Sequence, residues 1–530
     1  FRVGVWGSPF FKRGSPSESK QYRSTPIELT LTLYHESEEY AMTNKHNRRF
    51  MSAFCALLAA VAGLGASCQS APDAVETTGG DADVATGTTE ETTELPDDLP
   101  DENFDGYEFM IATETENEWM VLAEEATGDV VDDALYERNI AVEERFNVKF
   151  TTLTGDHTSL GNLITSSVQA GDDEIDLCCT HVVNTGSLAL NGLFVNWYEV
   201  PYIDFTKPWW APSTTNDLSV NNKCVLAISD FALTALANTD CMFYNKQLAE
   251  DYGITDLYKI VNDGAWTIDK LTELSRDVYV DLNGDNTQNN GDRYGFVSTS
   301  RSALNAYLWS FGGKVLSKNE SGGLELFYHN DKTADMVQKL CQVFYENTGI
   351  YINSKETTYD SLFSINMFLE NKAVFINANI GQTLQYLREM ENDYGILPYP
   401  KWDEAQTEYY TMVDGSHDIL AVPITATNLE RTGIITEALS AESYKRVIPA
   451  YYETALKTKY ARDDESVQML DMIANSRVFD IGYVYDGWSG ASFIFQELIS
   501  ANNTSFESTW ASRQSSIEAH YNEVIEFFES

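Results

Sequence analysis

The sequence predicts an α/β fold, since short apolar strands alternate with amphipathic helices between residues 104 and 180. Residues 109–111 are apolar and follow a turn, and residues 147–150 are typical of a second strand. Between these strands, apolar side chains from Val131 to Phe146 recur at spacings of four and seven, which is typical of one helix face. Strands that alternate with helices favour a sheet with parallel strands.

The same alternation continues further along the chain. A helix is expected at 160–170 and a buried third strand at 174–179. Residues 242–244 and 373–376 are two more short apolar strands. Long helical stretches are predicted at 246–277, 331–347, 360–371 and 427–475.

Composition limits the kind of partner that this chain can have. The 530 residues include 81 acidic and 35 basic side chains, for a formal net charge of −46, and 43% are hydrophobic. This length and apolar content predict two or three folded domains. A surface this negative repels phosphate backbones, so we expect no nucleic-acid partner, and we expect a monomer that is soluble outside the cell.

The seven cysteines indicate neither a zinc site nor a disulfide framework. None of them has the paired spacing of a zinc site. Five remain after Cys68, and an odd number argues against a full set of disulfides. Cys178 and Cys179 lie in an apolar run and are expected to be small core residues.

The N-terminal region carries the features of an export signal. Residues 1–41 show no hydrophobic period, and we expect them to be an upstream extension that precedes a true start at Met42. Residues 42–67 then combine basic side chains with an apolar run over 50–65 that is too short to span a membrane comfortably. This is the anatomy of a signal peptide.

The end of that segment resembles a bacterial lipobox. Leu64 to Cys68 departs from the usual pattern because Gly65 stands where leucine is common. We expect Cys68 to be lipidated, with ordinary signal cleavage as the alternative, and residues 68–103 to form a disordered acidic, threonine-rich tether. The protein would then be anchored by its lipid to the extracellular face of the cell membrane.

Seven short motifs occur in order along the chain, at 133–148, 170–176, 207–210, 243–246, 264–267, 292–296 and 397–400. They resemble those of a clostridial-type group of extracellular solute-binding proteins, which are similar to the sugar-binding proteins of ABC importers. The resemblance covers residues 104 to 530, and it is the order of the motifs that makes it specific.

The resemblance implies a two-lobe periplasmic-binding-protein-like fold with hinge strands and a ligand cleft between the lobes. One lobe would hold 104–240 plus 381–420, and the other would hold 245–370 plus 425–530. Hinge crossings would fall near 241–245, 373–380 and 420–424, although residues 373–376 could equally form an ordinary core strand. The implied partners are a small sugar ligand and the permease subunits of an ABC transporter.

Sugars present apolar faces ringed by hydroxyl groups, so a sugar site needs aromatic platforms and planar polar groups. For any single tryptophan, core packing is the alternative explanation. We favour Trp309 and Trp488 because turn residues surround them, whereas Trp266 precedes a helix cap at Thr267 and is expected to anchor that helix. The candidate ligand-binding residues are Trp119, Trp210, Asp230, Phe231, Trp309, Asn379, Gln382, Tyr410, Asp414, Ser416 and Trp488.

One loop, residues 281–292, has the oxygen-rich spacing of a calcium site. It departs from the EF-hand pattern with Asn286 at the sixth position and Asp292 at the twelfth. A structural Ca²⁺ is therefore predicted, with a solvated polar turn as the alternative. The candidate ligands are Asp281, Asn283, Asp285, Thr287, Asn289 and Asp292.

The main competing function is that of a secreted polysaccharide hydrolase. Such enzymes need two suitably spaced carboxylates, but a chain with 81 acids always offers candidate pairs. The chain has no G-x-S-x-G, H-E-x-x-H or Walker sequence, and its seven histidines are scattered. It is mainly the ordered resemblance that favours a binding protein without enzymatic activity over a hydrolase, and a surface glycan-adhesion protein is a third alternative.

Overall fold

The computed structural model describes residues 95–457 and 464–530. The signal peptide, Cys68 and most of the predicted tether therefore lie outside the described residues. The end of that tether is ordered, contrary to the prediction. The carboxylate of Asp97 accepts from both terminal nitrogens of Arg145, at 2.5 and 3.1 Å, and this fork pairing fixes the segment against a helix of the folded part.

The strands of the described residues form two main sheets and two short pairs. They are β1 (Tyr107–Glu114), β2 (Val148–Gly155), β3 (Leu177–His181), β4 (Asp240–Asn245), β5 (Tyr294–Ser298), β6 (Leu316–Lys318), β7 (Leu324–Leu326), β8 (Ile350–Ile352), β9 (Ala373–Asn379), β10 (Tyr394–Leu397), β11 (Thr411–Met412), β12 (Asp418–Ala421) and β13 (Arg477–Val478).

Helices occupy most of the remaining chain, and the π-helical turn Ser443–Val447 joins two of them. They are α1 (Glu118–Val121), α2 (Val130–Phe146), α3 (His157–Ala170), α4 (Val182–Leu190), α5 (Ser213–Asn216), α6 (Leu233–Ala237), α7 (Lys246–Asp251), α8 (Leu257–Asn262), α9 (Ile268–Ser275), α10 (Ser302–Ser310), α11 (Asp331–Glu346), α12 (Phe363–Leu369), α13 (Gln382–Gln385), α14 (Leu429–Glu442), α15 (Ile448–Lys457), α16 (Asp464–Asn475), α17 (Ile481–Val484), α18 (Ile494–Ser500) and α19 (Phe506–Glu529).

The first sheet has the order β12-β3-β1-β2. Strands β1, β2 and β3 are parallel, as the alternating pattern predicts, and β12 runs antiparallel to β3. Residues on either side of α2 fix where this helix begins and ends. The Asp129 carboxylate caps the first turn of α2, and Asn147 ends that helix in the left-handed conformation with a φ of 49°.

The second sheet has the order β10-β4-β9-β5-β8. Strand β9 lies between β4 and β5, so the apolar residues 373–376 form a central core strand. Of the two possibilities left open for these residues, a hinge crossing and an ordinary core strand, the structure therefore shows the core strand. Apolar pairing on both sides explains why these residues form a continuous hydrophobic run.

Two predicted lobe boundaries are wrong. Strand β10 pairs with β4 in the second sheet, although residues 381–420 were assigned to the first lobe. Helix α14 packs into the core of the first sheet with Phe109, Trp197 and Leu420, although residues 425–530 were assigned to the second lobe. Both errors arise because the chain after residue 381 passes between the two sheets more than once.

The chain passes between the two sheets along a pair of neighbouring segments. Thr239, just before β4, forms an antiparallel bridge with Val413, and the Asp414 amide donates to the Asn238 carbonyl at 2.9 Å. One crossing thus lies at 238–240, next to the predicted 241–245. Another lies at 412–414 instead of 420–424, because residues 418–421 already belong to the first sheet.

The five cysteines in the described part of the chain are all buried and free. Cys178 and Cys179 lie in β3, where burial raises the pKa of both thiols. They are inert core residues, as the sequence indicates.

Candidate functional site

Three polar side chains meet at one edge of the first sheet. Glu114 ends β1, His181 ends β3, and Asp418 begins the antiparallel β12 directly opposite His181. Because ligands of α/β sheets bind outside the carboxyl ends of parallel strands, this edge is where a ligand is expected. All three side chains are at most 6% exposed.

Two histidines contact Glu114 at this edge. Its Oε1 accepts from the His181 amide at 3.1 Å and lies 3.7 Å from Nδ1 of His157. The imidazole rings of His157 and His181 have their centroids 4.5 Å apart. Burial acts to lower the pKa of His157, but the neighbouring Glu114, Glu116 and Asp156 carboxylates outweigh it and raise that pKa.

Asp418 is held by the loop after β1 and by α6. Both of its carboxylate oxygens accept from Nδ2 of Asn117 at 3.1 Å, and its amide donates to Oγ1 of Thr234 at 2.8 Å. Burial, with a further contribution from Glu114, raises its pKa well above the ordinary value. The protonated acid is therefore favoured at this position.

The edge of the second sheet faces the same region through the crossing segments. Asp240 begins β4 opposite Asn379, the last residue of β9. Burial and the nearby Asp414 raise the pKa of Asp240 well above its ordinary value. Nδ1–H of His417 donates to the Asp414 carbonyl oxygen at 2.7 Å.

We call Glu114, His157, His181, His417 and Asp418, together with Asp240, the polar cluster. Within the described residues, Oε2 of Glu114, Nδ1 of His181, Nε2 of His417 and Oδ2 of Asp240 are buried and have no hydrogen-bond partner. An unpaired buried polar atom costs about 1–3 kcal/mol. Several of them at one sheet edge indicate groups that are kept for a ligand.

Four members of the polar cluster have a pKa shifted towards the uncharged form, whereas the pKa of His157 is raised towards the charged form. Burial lowers the pKa of His417 to about 4, and burial with the neighbouring histidines holds that of His181 well below its ordinary value. The two buried acids, Asp240 and Asp418, shift upward instead. A neutral ligand that offers hydroxyl groups matches such a surface better than an ion does.

Trp488 covers this cluster from the C-terminal part of the chain. It is 55% exposed, its φ is 61°, and its indole nitrogen donates to Oδ1 of Asn184 at 2.9 Å. The ring stacks on Phe493 at 5.6 Å and lies 6.1 Å from the His181 ring. An exposed tryptophan in a strained backbone conformation indicates a functional constraint.

A close backbone contact places this segment. A Cβ atom at Gly186, in α4, would collide with the carbonyl oxygen of Val484. Glycine at 186 therefore lets α17 approach α4 closely, and this approach brings Trp488 next to Asn184 and His181.

A second feature is a cleft of about 1060 Å³ that is lined mainly by second-lobe segments. We call it the aromatic cleft. Asp217 is its contribution from the first part of the chain. Its aromatic walls are Trp309, Phe311, Trp402, Tyr409 and Tyr410.

Three predicted ligand contacts lie in other environments. Trp210 is 2% exposed and donates from its indole nitrogen to Glu437 at 2.9 Å, so neither face is open to a ligand. Phe231 is buried beneath the Arg138 guanidinium. Asp230 lines a cavity of about 10 Å³ with Arg477, which is too small for a sugar. Burial raises the pKa of Asp230 to about 7.

The remaining predicted aromatic residues divide between the two features. Trp488 lies at the polar cluster, and Trp119 lies in α1, just after Asn117 of the loop that reaches Asp418. Trp309 and Tyr410 both line the aromatic cleft. Trp309 is almost fully buried, and its indole nitrogen donates to Asp480 at 2.9 Å, so it is largely a wall residue.

The four predicted polar contacts lie near the crossing segments. Asn379 accepts from Nε2 of Gln382 at 3.1 Å, and Oε1 of Gln382 has no partner within the described residues. Asp414 accepts from the Ser416 amide at 2.9 Å and lies beside Asp240 and His417. Ser416 itself is exposed. The structure thus brings Asp414 and Gln382 towards the polar cluster.

The predicted calcium loop is held by its own hydrogen bonds. Asp281 accepts from the Gly284 and Asn286 amides, and Asp285 accepts from the Thr287 amide at 2.7 Å. Asn286 has a φ of 57°, which asparagine tolerates where the EF-hand pattern has glycine. Among the residues that the structure describes, no three acidic, histidine or cysteine side chains form a metal-binding group. Calcium therefore stays a prediction.

The sequence reasoning missed the polar cluster itself. Three of the seven histidines, which look scattered along the chain, meet within it. One signal could have found part of it: Glu114 and His181 lie three and two residues beyond two predicted parallel strands, and the ends of such strands share an edge.

The fold is that of a two-lobe binding protein, and the comparison with known families agrees. Residues 128–430 match the family model of the bacterial extracellular solute-binding proteins, and the chain belongs to this family. A search of curated proteins gave no match.

Solved structures show the same fold at low identity. One is the ABC substrate-binding protein Lmo0181 from Listeria monocytogenes in complex with cycloalternan, at 11% identity and a TM-score of 0.53, over 78% of this chain and 99% of that one. Another is UgpB from Mycobacterium tuberculosis in complex with glycerophosphocholine, at 14% identity and a TM-score of 0.52, over 79% and 99%. A third is the maltose/maltodextrin-binding domain MalE from Bdellovibrio bacteriovorus bound to maltotriose, at 15% and 0.50, over 80% and 100%.

Within residues 95–457 and 464–530, no helix has both the length and the apolar character needed to cross a membrane.

Proposed function

We propose that this protein binds a neutral carbohydrate, an oligosaccharide, at the polar cluster and delivers it to the permease subunits of an ABC importer. The observation that carries the proposal is the exposed Trp488 ring beside buried polar atoms that have no partner. A sugar ring stacks on an indole face while its hydroxyl groups donate and accept at its rim. Burial favours the uncharged forms of His181, His417 and Asp240, and this supports a neutral solute over an amino acid or a polyamine.

Two of the three solved structures named above are described as complexes with saccharides, cycloalternan and maltotriose. Their likeness supports this choice of ligand class. The mechanism that we propose is lobe closure. A ligand that contacts both sheet edges binds the closed arrangement better than the open one and therefore shifts the population towards it.

We further propose that Cys68 carries the lipid anchor on the extracellular face of the membrane, and that the protein does not turn over its ligand. The lipobox-like sequence before Cys68 supports the anchor. Glu114 and Asp418 are the carboxylates that a hydrolase would use here. Release of reducing ends from any bound glycan by the wild-type protein, lost in Glu114→Gln, would contradict the binding-only role.

Isothermal titration calorimetry tests the ligand class. The titrants are neutral mono- and oligosaccharides, charged amino acids and polyamines. We expect at least one neutral saccharide to bind, and Trp488→Ala to weaken it about tenfold or more through the lost stacking area. Phe327→Ala is the matched control, because Phe327 is an exposed aromatic side chain outside the polar cluster. Binding of charged solutes alone would refute the proposal.

A further inference from the structure

A row of contacting rings runs from the aromatic cleft to the polar cluster. The Trp309 and Tyr483 rings are 4.9 Å apart and at most 6% exposed, and Tyr483 also contacts Phe493, which stacks on Trp488. None of the members of the polar cluster is among the residues that line the cleft. The cleft therefore needs an explanation of its own.

Its size suits a chain of sugars. Small-molecule pockets commonly measure about 300–1,000 Å³, and this cleft measures about 1060 Å³. One monosaccharide would leave most of that space as water. An occupant with several rings fills it better.

Its walls are close to electrical neutrality, although the whole chain carries a formal net charge of −46. Three cationic side chains and four carboxylates face the cleft, so neither a strongly anionic nor a strongly cationic ligand is favoured. These side chains are Lys314, Lys332, Arg477, Asp217, Asp335, Asp403 and Glu408.

Partly exposed rings supply the platforms. Trp402 and Tyr410 are half-buried, and Trp402 packs edge-on against Phe311 at 5.2 Å. Gln406 fixes the loop that carries them, since its side-chain nitrogen donates to the carbonyls of Ser310 and Glu408 at 2.8 Å. The platforms are thus held in place before any ligand arrives.

Amide groups at the rim supply polar contacts. Asn262 and Asn475 both line the cleft and are exposed. Planar amides beside aromatic faces are the pairing that recognises sugar hydroxyl groups and ring faces together.

We propose that the aromatic cleft is a second carbohydrate site, which binds a neutral oligosaccharide independently of the polar cluster. This goes beyond the proposed function, because it requires two saccharide sites in one chain. The rings of Trp402 and Tyr410 are the stacking platforms, and the Asn262 and Asn475 amides bind hydroxyl groups.

Calorimetric titration of the protein with four probes tests this: maltotetraose, cellotetraose, xylotetraose and mannotetraose. Ala405→Trp blocks the cleft, because Ala405 is an exposed lining residue whose replacement removes no packing. Trp402→Ala removes a platform and serves as the second cleft variant. Trp488→Ala disables the polar cluster, and Phe327→Ala is again the control for loss of an exposed ring.

We expect the Trp488→Ala protein still to bind at least one probe. We expect Ala405→Trp and Trp402→Ala each to weaken the binding of that same probe about tenfold or more. The absence of any such probe overturns the second site. If Trp488→Ala abolishes all binding while Ala405→Trp changes none, the proposed function stands and this inference fails. If Trp488→Ala changes nothing and Ala405→Trp abolishes all binding, the cleft stands and the ligand site at the polar cluster fails.

Discussion

Glu437 offers a quantitative test of the packing between α14 and the loop before α5. Its side chain is fully buried, and its carboxylate accepts from the indole nitrogens of Trp209 and Trp210 at 2.7 and 2.9 Å. Burial raises its pKa from an ordinary 4.5 to about 7, against the opposing effect of these hydrogen bonds. The folded protein therefore holds a proton here that the unfolded chain has already lost above pH 4.5.

This difference in bound protons decides whether the free energy of unfolding rises or falls with pH. Between pH 4.5 and about 7 the folded state binds more protons than the unfolded state, so this group makes the free energy of unfolding fall as pH rises. The difference between a pKa of 4.5 and one of about 7, at about 1.4 kcal/mol for each pH unit, gives about 3 to 4 kcal/mol over the full range, of which about 2 to 3 kcal/mol falls between pH 5 and pH 8. Glu437→Gln cannot titrate, and its amide nitrogen would oppose one indole donor.

The assay is urea unfolding of the wild type and Glu437→Gln at pH 5 and pH 8, followed by tryptophan fluorescence. We expect the variant to be less stable at pH 5, with a deficit that shrinks by about 2 to 3 kcal/mol at pH 8. Glu523→Gln is the matched control on the exposed face of α19 and should show no such change. An equal deficit at both pH values would refute the assigned proton.

Three further outcomes are expected. In the same assay, Asp230→Asn should match the wild type in stability at pH 4 and exceed it by as much as about 4 kcal/mol at pH 8, because burial raises the pKa of Asp230 from 3.8 to about 7. A stability difference that is the same at both pH values would contradict this. Gly186→Ala should lower the melting temperature and weaken saccharide binding by displacing Trp488. Gly161→Ala should change neither, because a Cβ at Gly161 would meet only one side-chain atom, at 4.0 Å. Chelation by EDTA should lower the melting temperature if the loop 281–292 holds Ca²⁺, and elemental analysis that finds no bound calcium would contradict that prediction.

The sequence predicted the sheet-forming segments well because they are buried on both faces. The apolar runs that become β1, β3 and β9 needed no tertiary information to be recognised. Helix α2 was equally clear from its apolar spacing, but Asn147, which was predicted to begin the second strand, ends this helix instead. The predicted helix 246–277 divides instead into α7, α8 and α9, with Gly253 and Gly264 both at positive φ between them.

The candidate site was harder to predict because distant segments decide it. Whether a tryptophan is a platform or a core residue depends on its partners: Glu437 lies 227 positions from Trp210, and Asp480 lies 171 positions from Trp309. Local turn chemistry favoured both Trp488 and Trp309 as platforms, but Trp488 is 55% exposed and Trp309 only 2%. It could not show that His181 lies beside it, because that contact depends on how α17 packs against α4.

The central claim is that a neutral saccharide bound at the polar cluster closes the two lobes. Small-angle X-ray scattering of the protein, with and without the saccharide that calorimetry identifies, tests it most directly. We predict a smaller radius of gyration with the bound ligand, and no decrease for Trp488→Ala at the same ligand concentration. An unchanged radius of gyration in the wild type, at a ligand concentration that calorimetry shows to be saturating, would contradict the claim.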